Sequence, residues 1–132
     1  LKNEYIKEIN FLKLEKNIQL IDYQENIPSY LSKSLGLIST SLWEDPGFVM
    51  IEAAACNTFV ISSDCPSGPK EFIGTKNGLL FENNNSIQLK KKLIEYLNMD
   101  DKKIMKMKIG AKKDSINFTK LRHYKILVKH LS

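Results

Sequence analysis

The sequence contains few of the residues that mark several common kinds of protein. Two cysteines, Cys56 and Cys65, are too few for a disulfide scaffold; they could pair in principle, but we expect reduced thiols. The two histidines, His123 and His130, do not have the Cys/His spacing of a metal site. No apolar run approaches the roughly 18 residues of a membrane-spanning helix, and the first residues carry charges where a signal peptide would be apolar. We therefore expect a cytoplasmic protein.

The composition fits one globular domain. The chain has 132 residues, of which 42% are hydrophobic, and this length lies within the usual size range of a domain. It opens on Leu1 rather than on a methionine, and the first residues already have the pattern of a helix. We expect residues 1–132 to be a domain that lacks its N-terminal part.

Positive charge is concentrated in the second part of the chain, which the net charge of +5 conceals. Residues 1–80 carry 7 Lys and Arg against 10 Asp and Glu, whereas residues 81–132 carry 13 against 5. Such a segment can contact nucleic acid or an anionic membrane surface, or it can form the solvated faces of helices. No aromatic residues alternate with the lysines as a nucleic-acid platform requires, so we expect no nucleic-acid partner. Peripheral contact with the inner face of a membrane stays open.

Apolar periodicity and turn residues divide the chain into short strands and helices. Apolar runs predict strands at residues 18–21, 35–39, 59–62 and 78–81. Helices are predicted over residues 1–14, 26–34, 46–56, 70–73, 87–98, 101–114 and 119–131. Asn26 and the segment 83–86 offer N-caps, and Asn57 offers a helix stop.

Short apolar strands that alternate with helices indicate a parallel sheet covered on both faces, which is a doubly wound α/β fold. In such sheets ligands bind beyond the carboxyl ends of the strands. Loops of unusual composition follow Ser39 and Ser62, the predicted ends of two strands. We therefore expect the binding site between these two loops.

Two carboxylates flank the start of the helix predicted from Pro46. Glu52 stands inside the otherwise apolar or small run from Phe48 to Cys56, and Glu44 lies eight positions upstream of it. Burial of Glu52 would require a hydrogen-bonding partner. At about 1.5 Å per residue, Glu52 lies on the order of 9 Å along the axis from Pro46, which suits a ribose attached to a diphosphate at the helix start. The Glu52 carboxylate would accept hydrogen bonds from two ribose hydroxyls, and Glu44 would face the group beyond the phosphates.

The start of this helix is suited to anion binding, but a second interpretation is open. Pro46 lacks an N–H and suits the first turn, Gly47 permits close approach, and the next amides point outward. Alternatively, Asp45 is the N-cap and fills these amides itself, while Glu44 is a surface residue and Glu52 bonds to a neighbouring backbone group or lysine. The local chemistry alone does not decide between the two.

The segment from Glu44 to Glu52 resembles the Glu-x7-Glu signature of retaining GT-B glycosyltransferases of the family 4 type. Residues 59–71, 77–81 and 118–121 are similar to further blocks of that family, in the same order and spacing. The resemblance covers essentially the whole chain. It implies a partial C-terminal, Rossmann-like domain that binds a nucleotide sugar, and a separate N-terminal domain that binds a glycan or lipid-linked acceptor in cell-surface polysaccharide synthesis.

The resemblance also implies roles for individual residues. Glu44 would be the catalytic residue beside the transferred sugar, and Glu52 would bind the donor ribose. The backbone amides of Gly47, Phe48 and Val49 would hold the diphosphate, so that fixed dipoles rather than a metal ion stabilise the leaving group. The full-length protein would be a retaining hexosyltransferase with no metal and no other cofactor.

The chain departs from the family pattern in one respect. Family members have two earlier strands in this domain, with a glycine-rich turn and a basic pair that holds the phosphates, and nothing here corresponds to them. By analogy these strands would lie between those predicted at residues 18–21 and 35–39. We therefore expect the chain alone to be inactive. A non-catalytic α/β interaction module and a basic domain that binds membranes or nucleic acid are the alternative functions.

Overall fold

Three short strands form a parallel sheet in the computed structural model of the protein, which describes residues 2–45 and 47–131. The strands are β1 (Gly36–Ser39), β2 (Phe59–Asp64) and β3 (Leu79–Glu82), and β2 is the middle strand. Gly36 lies opposite Phe59, and Ile61 lies opposite Leu79. The side chains of five residues of the C-terminal helix also lie outside the described part: Leu121, His123, Lys125, His130 and Leu131. The prediction for the two histidines is therefore not tested.

Helices connect the strands and continue after the last one, close to the predicted bounds. They are α1 (Lys2–Phe11), α2 (Ile27–Lys33), α3 (Phe48–Ala55), α4 (Pro69–Phe72), α5 (Ser86–Leu97), α6 (Asp101–Ser115), a 3-10 helix (Ile116–Phe118) and α7 (Lys120–Leu131). The predicted helix start at Pro46 lies outside the described residues, as does Leu1 in the first helix.

The core has two parts, one on each face of the sheet. Val60 packs with Met50 and Ala54 of α3 on one face, whereas Phe59 and Ile61 belong to a second apolar cluster. Since successive side chains of a strand point to opposite faces, the two clusters lie on opposite sides of β2. The second cluster is completed by residues of β3, α5 and α6, namely Leu79, Phe81, Leu93, Tyr96 and Met107. The predicted doubly wound α/β class is confirmed.

The caps follow the sequence closely. The Asn26 side chain accepts from the Ser29 amide at 3.2 Å, and Asn85 accepts from the Gln88 amide at 2.9 Å. Asn57, directly after the C-cap of α3, has a left-handed backbone with φ 61°, which asparagine tolerates better than most residues. The predicted caps and the predicted stop of α3 are therefore confirmed.

The first predicted strand is wrong and the second is only partly right. Residues 18–21 form no strand, and their apolar side chains are exposed: Ile18 by 43% and Ile21 by 51%. Residues 36–39 do form β1, but the strand is not buried as predicted, since Ile38 is 46% exposed. Both differences have the same physical reason. β1 lies at the edge of the sheet, and no described segment pairs with its free side, so β1 stays exposed and residues 18–21 have no strand partner.

Tyr96 links α5 to the sheet through two contacts. Its ring stacks on Phe59 with 4.5 Å between centroids, and its hydroxyl donates a hydrogen bond to the Leu35 carbonyl at 2.7 Å. Burial raises the pKa of the Tyr96 hydroxyl above its ordinary value, because the charged phenolate is poorly solvated there. This contact holds the residue before β1, a strand that has only one neighbour in the described part of the chain.

Two composition-based expectations can also be compared with the structure. Cys56 and Cys65 are both free thiols, as predicted. Within the described ranges, no helix has both the length and the apolar character that crossing a bilayer demands.

Candidate functional site

The structure brings together the two loops that the sequence singled out. The Ser63 hydroxyl, at the end of β2, donates to the Ser41 carbonyl in the loop after β1 at 2.5 Å. The Glu44 amide donates to the Pro66 carbonyl at 3.3 Å, which joins the same two loops a second time. Because β1 and β2 are parallel neighbours, both loops leave the sheet at one edge, and that edge carries Glu44.

A third loop, which sequence reasoning did not assign to the site, contributes Asn83. Its side-chain amide donates to the Leu42 carbonyl at 3.0 Å, linking the segment after β3 to the loop that carries Glu44. The Oδ1 atom of Asn83 is buried and has no hydrogen-bond donor among the described residues. The sequence showed this asparagine as one of three in a row before α5, a pattern that indicated only a helix cap.

Gly47 forms the start of α3 in a conformation that favours glycine. It is the N-cap residue with φ 75° and ψ 47°, in the left-handed region. A Cβ at this position would lie 2.3 Å from the Cε of Met50. Among the described residues, no side chain caps the helix, and the amides of Phe48 and Val49 have no backbone acceptor. The helix start is therefore able to receive an anion.

The alternative in which Asp45 caps this helix is wrong. Gly47 occupies the cap position, and Asp45 is exposed and accepts no hydrogen bond from a described residue. The left-handed turn at Gly47 separates Asp45 from the first helical turn, so the aspartate cannot take the usual capping geometry. The amides predicted to hold a diphosphate are thus free of this competitor.

Glu44 lies beside the helix start and is half-buried. Its Cβ and Cγ atoms would both lie 3.7 Å from a Cβ built on Gly47, so the side chain runs along that glycine. An anionic group near a helix N-terminus is stabilised by the helix dipole, by roughly 0.3–1 kcal/mol at an exposed site. The position is suitable for a carboxylate that meets a ligand bound at α3.

Glu52 is exposed, so the burial that would have required a hydrogen-bonding partner does not occur. Met50, Ile51, Ala53 and Ala54 form the buried side of α3, whereas Glu52 is exposed on the same open side as Phe48, which is 58% exposed. Residues 48 and 52 are separated by four positions and therefore share a helix face. The apolar run from Phe48 to Cys56 does not indicate which side chains are buried, because Phe48 and Ala55 belong to the run and are exposed.

Glu52 lines a cavity of about 330 Å³ between α3 and the end of α6. Ile51, Lys112 and Phe118 are among the other lining residues. The Glu52 carboxylate has no hydrogen bond or ion pair with any described residue, so the lysine or backbone partner of the alternative interpretation is not found. Its carboxylate is available to a ligand.

Lys70, the nearest basic residue in sequence to the loop after β2, is already paired. Its Nζ atom lies 2.5 Å from the Asp64 carboxylate, and its side chain is 72% exposed. Within the part of the chain that the structure describes, no group of three or more His, Cys, Asp or Glu side chains could hold a metal ion. The expectation of metal-independent chemistry stays a prediction.

Comparison with known proteins identifies the family. Residues 1–114 match the family described as "Glycosyl transferases group 1". The chain is 32% identical over 112 residues to the poly(ribitol-phosphate) alpha-N-acetylglucosaminyltransferase of Staphylococcus aureus, covering 84% of this chain and 22% of that protein. It is 31% identical over 132 residues to the N-acetylgalactosamine-N,N'-diacetylbacillosaminyl-diphospho-undecaprenol 4-alpha-N-acetylgalactosaminyltransferase of Campylobacter jejuni, covering 99% of this chain and 36% of that protein.

Solved structures agree with this family. The crystal structure of TarM superposes on this chain with a TM-score of 0.85 at 30% identity, and the superposition covers 98% of this chain and 26% of the TarM chain. A variant of S. aureus TarM in complex with UDP superposes equally well. HepE of Anabaena superposes with a TM-score of 0.87 at 23% identity, over 98% of this chain and 36% of its own, which supports the fold. The chain thus spans between about a fifth and two fifths of the length of these relatives. This protein belongs to the group 1 glycosyltransferases and has the α/β fold of their GT-B structures.

Proposed function

We propose that this domain binds the nucleotide-sugar donor of a retaining glycosyltransferase that transfers an N-acetylated hexose to a glycan or lipid-linked acceptor. One observation carries the proposal: the start of α3 has no side-chain cap among the described residues and lies between Glu44 and Glu52, at the carboxyl edge of a parallel sheet. Ligands of such folds bind at this edge.

The names of the relatives support the substrate class. One relative is named for transfer of an α-N-acetylglucosaminyl group to poly(ribitol-phosphate), and the other for transfer of an α-N-acetylgalactosaminyl group to a diphospho-undecaprenol-linked sugar. A related structure contains UDP. We therefore expect a UDP-linked N-acetylhexosamine to be the best donor and a cell-surface polymer or its lipid-linked precursor to be the acceptor.

In this proposal the diphosphate lies against the amides of Gly47, Phe48 and Val49. Each such charge–dipole interaction contributes roughly 0.3–1 kcal/mol, and up to about 2 kcal/mol when partly buried. Glu52, exposed and without a partner, accepts from the ribose hydroxyls. Its role in the proposal does not rest on a burial cost, since the carboxylate is solvated before the ligand arrives.

Glu44 lies nearer the reacting sugar in this proposal. When the bond from the sugar to the diphosphate breaks, negative charge develops on the leaving oxygen and positive charge on the sugar ring. The amides at the helix start stabilise the first, and the Glu44 carboxylate stabilises the second. No metal ion is needed, so a chelator should leave donor binding unchanged. We also expect no sugar transfer by this chain alone, because the acceptor-binding domain and the basic pair of the family are not part of it.

Donor binding is best tested by calorimetric titration of the chain with UDP-, GDP- and ADP-sugars and with the free nucleoside diphosphates. Glu52→Ala should weaken binding of both the sugar nucleotide and the free diphosphate at least tenfold, since a hydrogen bond to a charged group contributes about 1.5–3 kcal/mol. Glu44→Ala should weaken binding of the sugar nucleotide while leaving that of the free diphosphate unchanged.

Glu15→Ala is the matched control, because Glu15 is exposed in the turn after α1 and has no described partner. It should bind like the wild type. Wild-type affinity in the Glu52→Ala variant would exclude the ribose assignment, and equal losses for both ligand types in Glu44→Ala would exclude its assignment to the sugar. If the full-length protein bound none of these ligands, the interaction-module alternative would be favoured.

A further inference from the structure

The outward side of α6 is a lysine-rich surface with an apolar centre. Met107, Ala111 and Ser115 are buried at intervals of four residues, so the opposite side of the helix faces solvent. That side, which we call the lysine face, consists of Lys102, Met105, Lys106, Ile109 and Lys113, all exposed. Met105 is 64% exposed and Ile109 is 45% exposed, and the three lysines surround them.

No acidic partner neutralises these lysines in the part of the chain that the structure describes. The ion pairs found there involve Lys2, Lys70 and Lys92. On α6 itself, Asp101 lies in the first turn and Asp114 accepts a hydrogen bond from Asn77 at 2.9 Å. The positive charge of the lysine face is therefore available to an anionic partner.

The turn before β3 extends the basic surface into a groove of about 510 Å³. Lys76 lies across this groove from Lys103, Lys106 and Lys113 of α6, with Met107 among the lining residues. The turn packs closely on the helix, because a Cβ built on Gly110 would lie 3.3 Å from the Lys76 carbonyl oxygen. Four lysines thus line one concave site, whose volume is large enough for a phosphate headgroup.

We infer that the lysine face and this groove dock the domain on an anionic lipid bilayer. Lysines can keep their charges among headgroups while their aliphatic stems lie along the apolar centre formed by Met105 and Ile109. Charge complementarity alone would also suit nucleic acid, but α6 carries no aromatic side chain for base stacking, and two exposed apolar side chains stand where a phosphate backbone would pass. The inference is independent of the proposed donor site, since Lys112, which shares a cavity with Glu52, is not part of the lysine face.

The test is co-sedimentation of the 132-residue chain with phosphatidylcholine vesicles that contain or lack phosphatidylglycerol. The wild type should bind the anionic vesicles, should not bind the neutral ones, and should bind less at high salt. Lys102→Gln, Lys106→Gln and Lys113→Gln combined should lower the partition coefficient on the order of 100-fold, at about fivefold per lysine. Circular dichroism and thermal unfolding verify that the variant is folded.

A matched control removes the same charge elsewhere. Lys7→Gln, Lys16→Gln and Lys90→Gln combined should reduce the partition coefficient no more than a few fold, since long-range attraction is screened. A second variant, Met105→Ser with Ile109→Ser, should reduce the binding that persists at high salt.

Four results would overturn the inference. The first is equal partition to neutral and anionic vesicles, and the second is an equal loss in the two lysine variants. The third is release of the chain from vesicles by inorganic phosphate at matched ionic strength, which would show a site for a single soluble anion. Tighter binding to duplex or single-stranded DNA than to vesicles, lost in the lysine-face variant, would instead assign this surface to nucleic acid.

Discussion

Replacement of Gly47 by alanine should destabilise the domain at the point where the candidate site begins. Gly47 has φ 75°, and a Cβ there would lie 2.3 Å from the Met50 Cε atom. Met50 is fully buried, so its side chain has little room to withdraw. The substitution therefore combines backbone strain with overpacking of the core beneath α3.

The expected cost follows from these terms. A left-handed conformation costs an L-residue about 1–2 kcal/mol, and an extra methyl group in a packed core costs about 1–3 kcal/mol. Alanine recovers about 0.4–1 kcal/mol by restricting the unfolded chain. We expect a net loss of about 1–4.5 kcal/mol in the free energy of unfolding, a large part of the roughly 5–15 kcal/mol that stabilises a typical domain.

Urea unfolding followed by circular dichroism measures this loss. Gly74→Ala is the matched control, because the nearest atom to its Cβ would be the Asn77 Oδ1 at 3.9 Å and its φ is not left-handed. It should not lower the free energy of unfolding, and the restriction of the unfolded chain should raise it by up to about 1 kcal/mol. In a Met50→Ala background the net cost of Gly47→Ala should fall to the backbone strain less the gain from the unfolded chain, about 0–1.5 kcal/mol. A cost below about 0.5 kcal/mol in the wild-type background would refute the reasoning.

Three further predictions concern stability. Tyr96→Phe should cost about 1 kcal/mol by removing the hydrogen bond to Leu35. The pKa of Tyr96 is raised in the folded state, so its contribution to the free energy of unfolding is complete below the unfolded pKa near 10. This contribution is lost as the pH rises through the higher folded pKa. Urea unfolding between about pH 9 and pH 11 should show the loss in the wild type and not in Tyr96→Phe. Asp100→Ala removes the side chain that caps α6 and should lower the free energy of unfolding by about 1 kcal/mol. Asp45→Ala should change the free energy of unfolding by less than about 0.5 kcal/mol. Equal losses of the two variants in thermal melts would show that Asp45 is a cap after all. Asn77→Ala should cost about 2–3 kcal/mol, since the buried amide has three hydrogen bonds whose partners would be left unpaired, and a wild-type melting temperature would contradict this.

Local patterns were sufficient wherever a short segment contains its own signal. Asn26 and Asn57 were predicted as helix ends and are found as such in the structure, and Asn85 is the cap within the predicted segment 83–86. The apolar run at residues 59–62 could be assigned to a buried strand because flanking turn residues limit its length. These elements depend on interactions between residues that are close together in the sequence.

Long-range pairing could not be predicted in the same way. The run at residues 18–21 has the composition of a strand, yet a strand forms only when another segment satisfies its backbone groups, and no described segment does. The exposed side of β1 has the same cause. The composition of a segment indicates its preference for the strand conformation, whereas the formation of a sheet depends on which other segments can pair with it.

The candidate site shows the same division between local and tertiary information. By itself the sequence determined the order Glu44, Gly47, Glu52 around one helix start, because the spacing along a helix is fixed by its geometry. Only the tertiary structure decided that Gly47 rather than Asp45 begins α3, that Glu52 is exposed, and that Asn83 joins the loop of Glu44. Those facts depend on how three loops meet at one edge of the sheet and on which side of α3 packs against it, and the spacing of residues in a single segment does not contain that information.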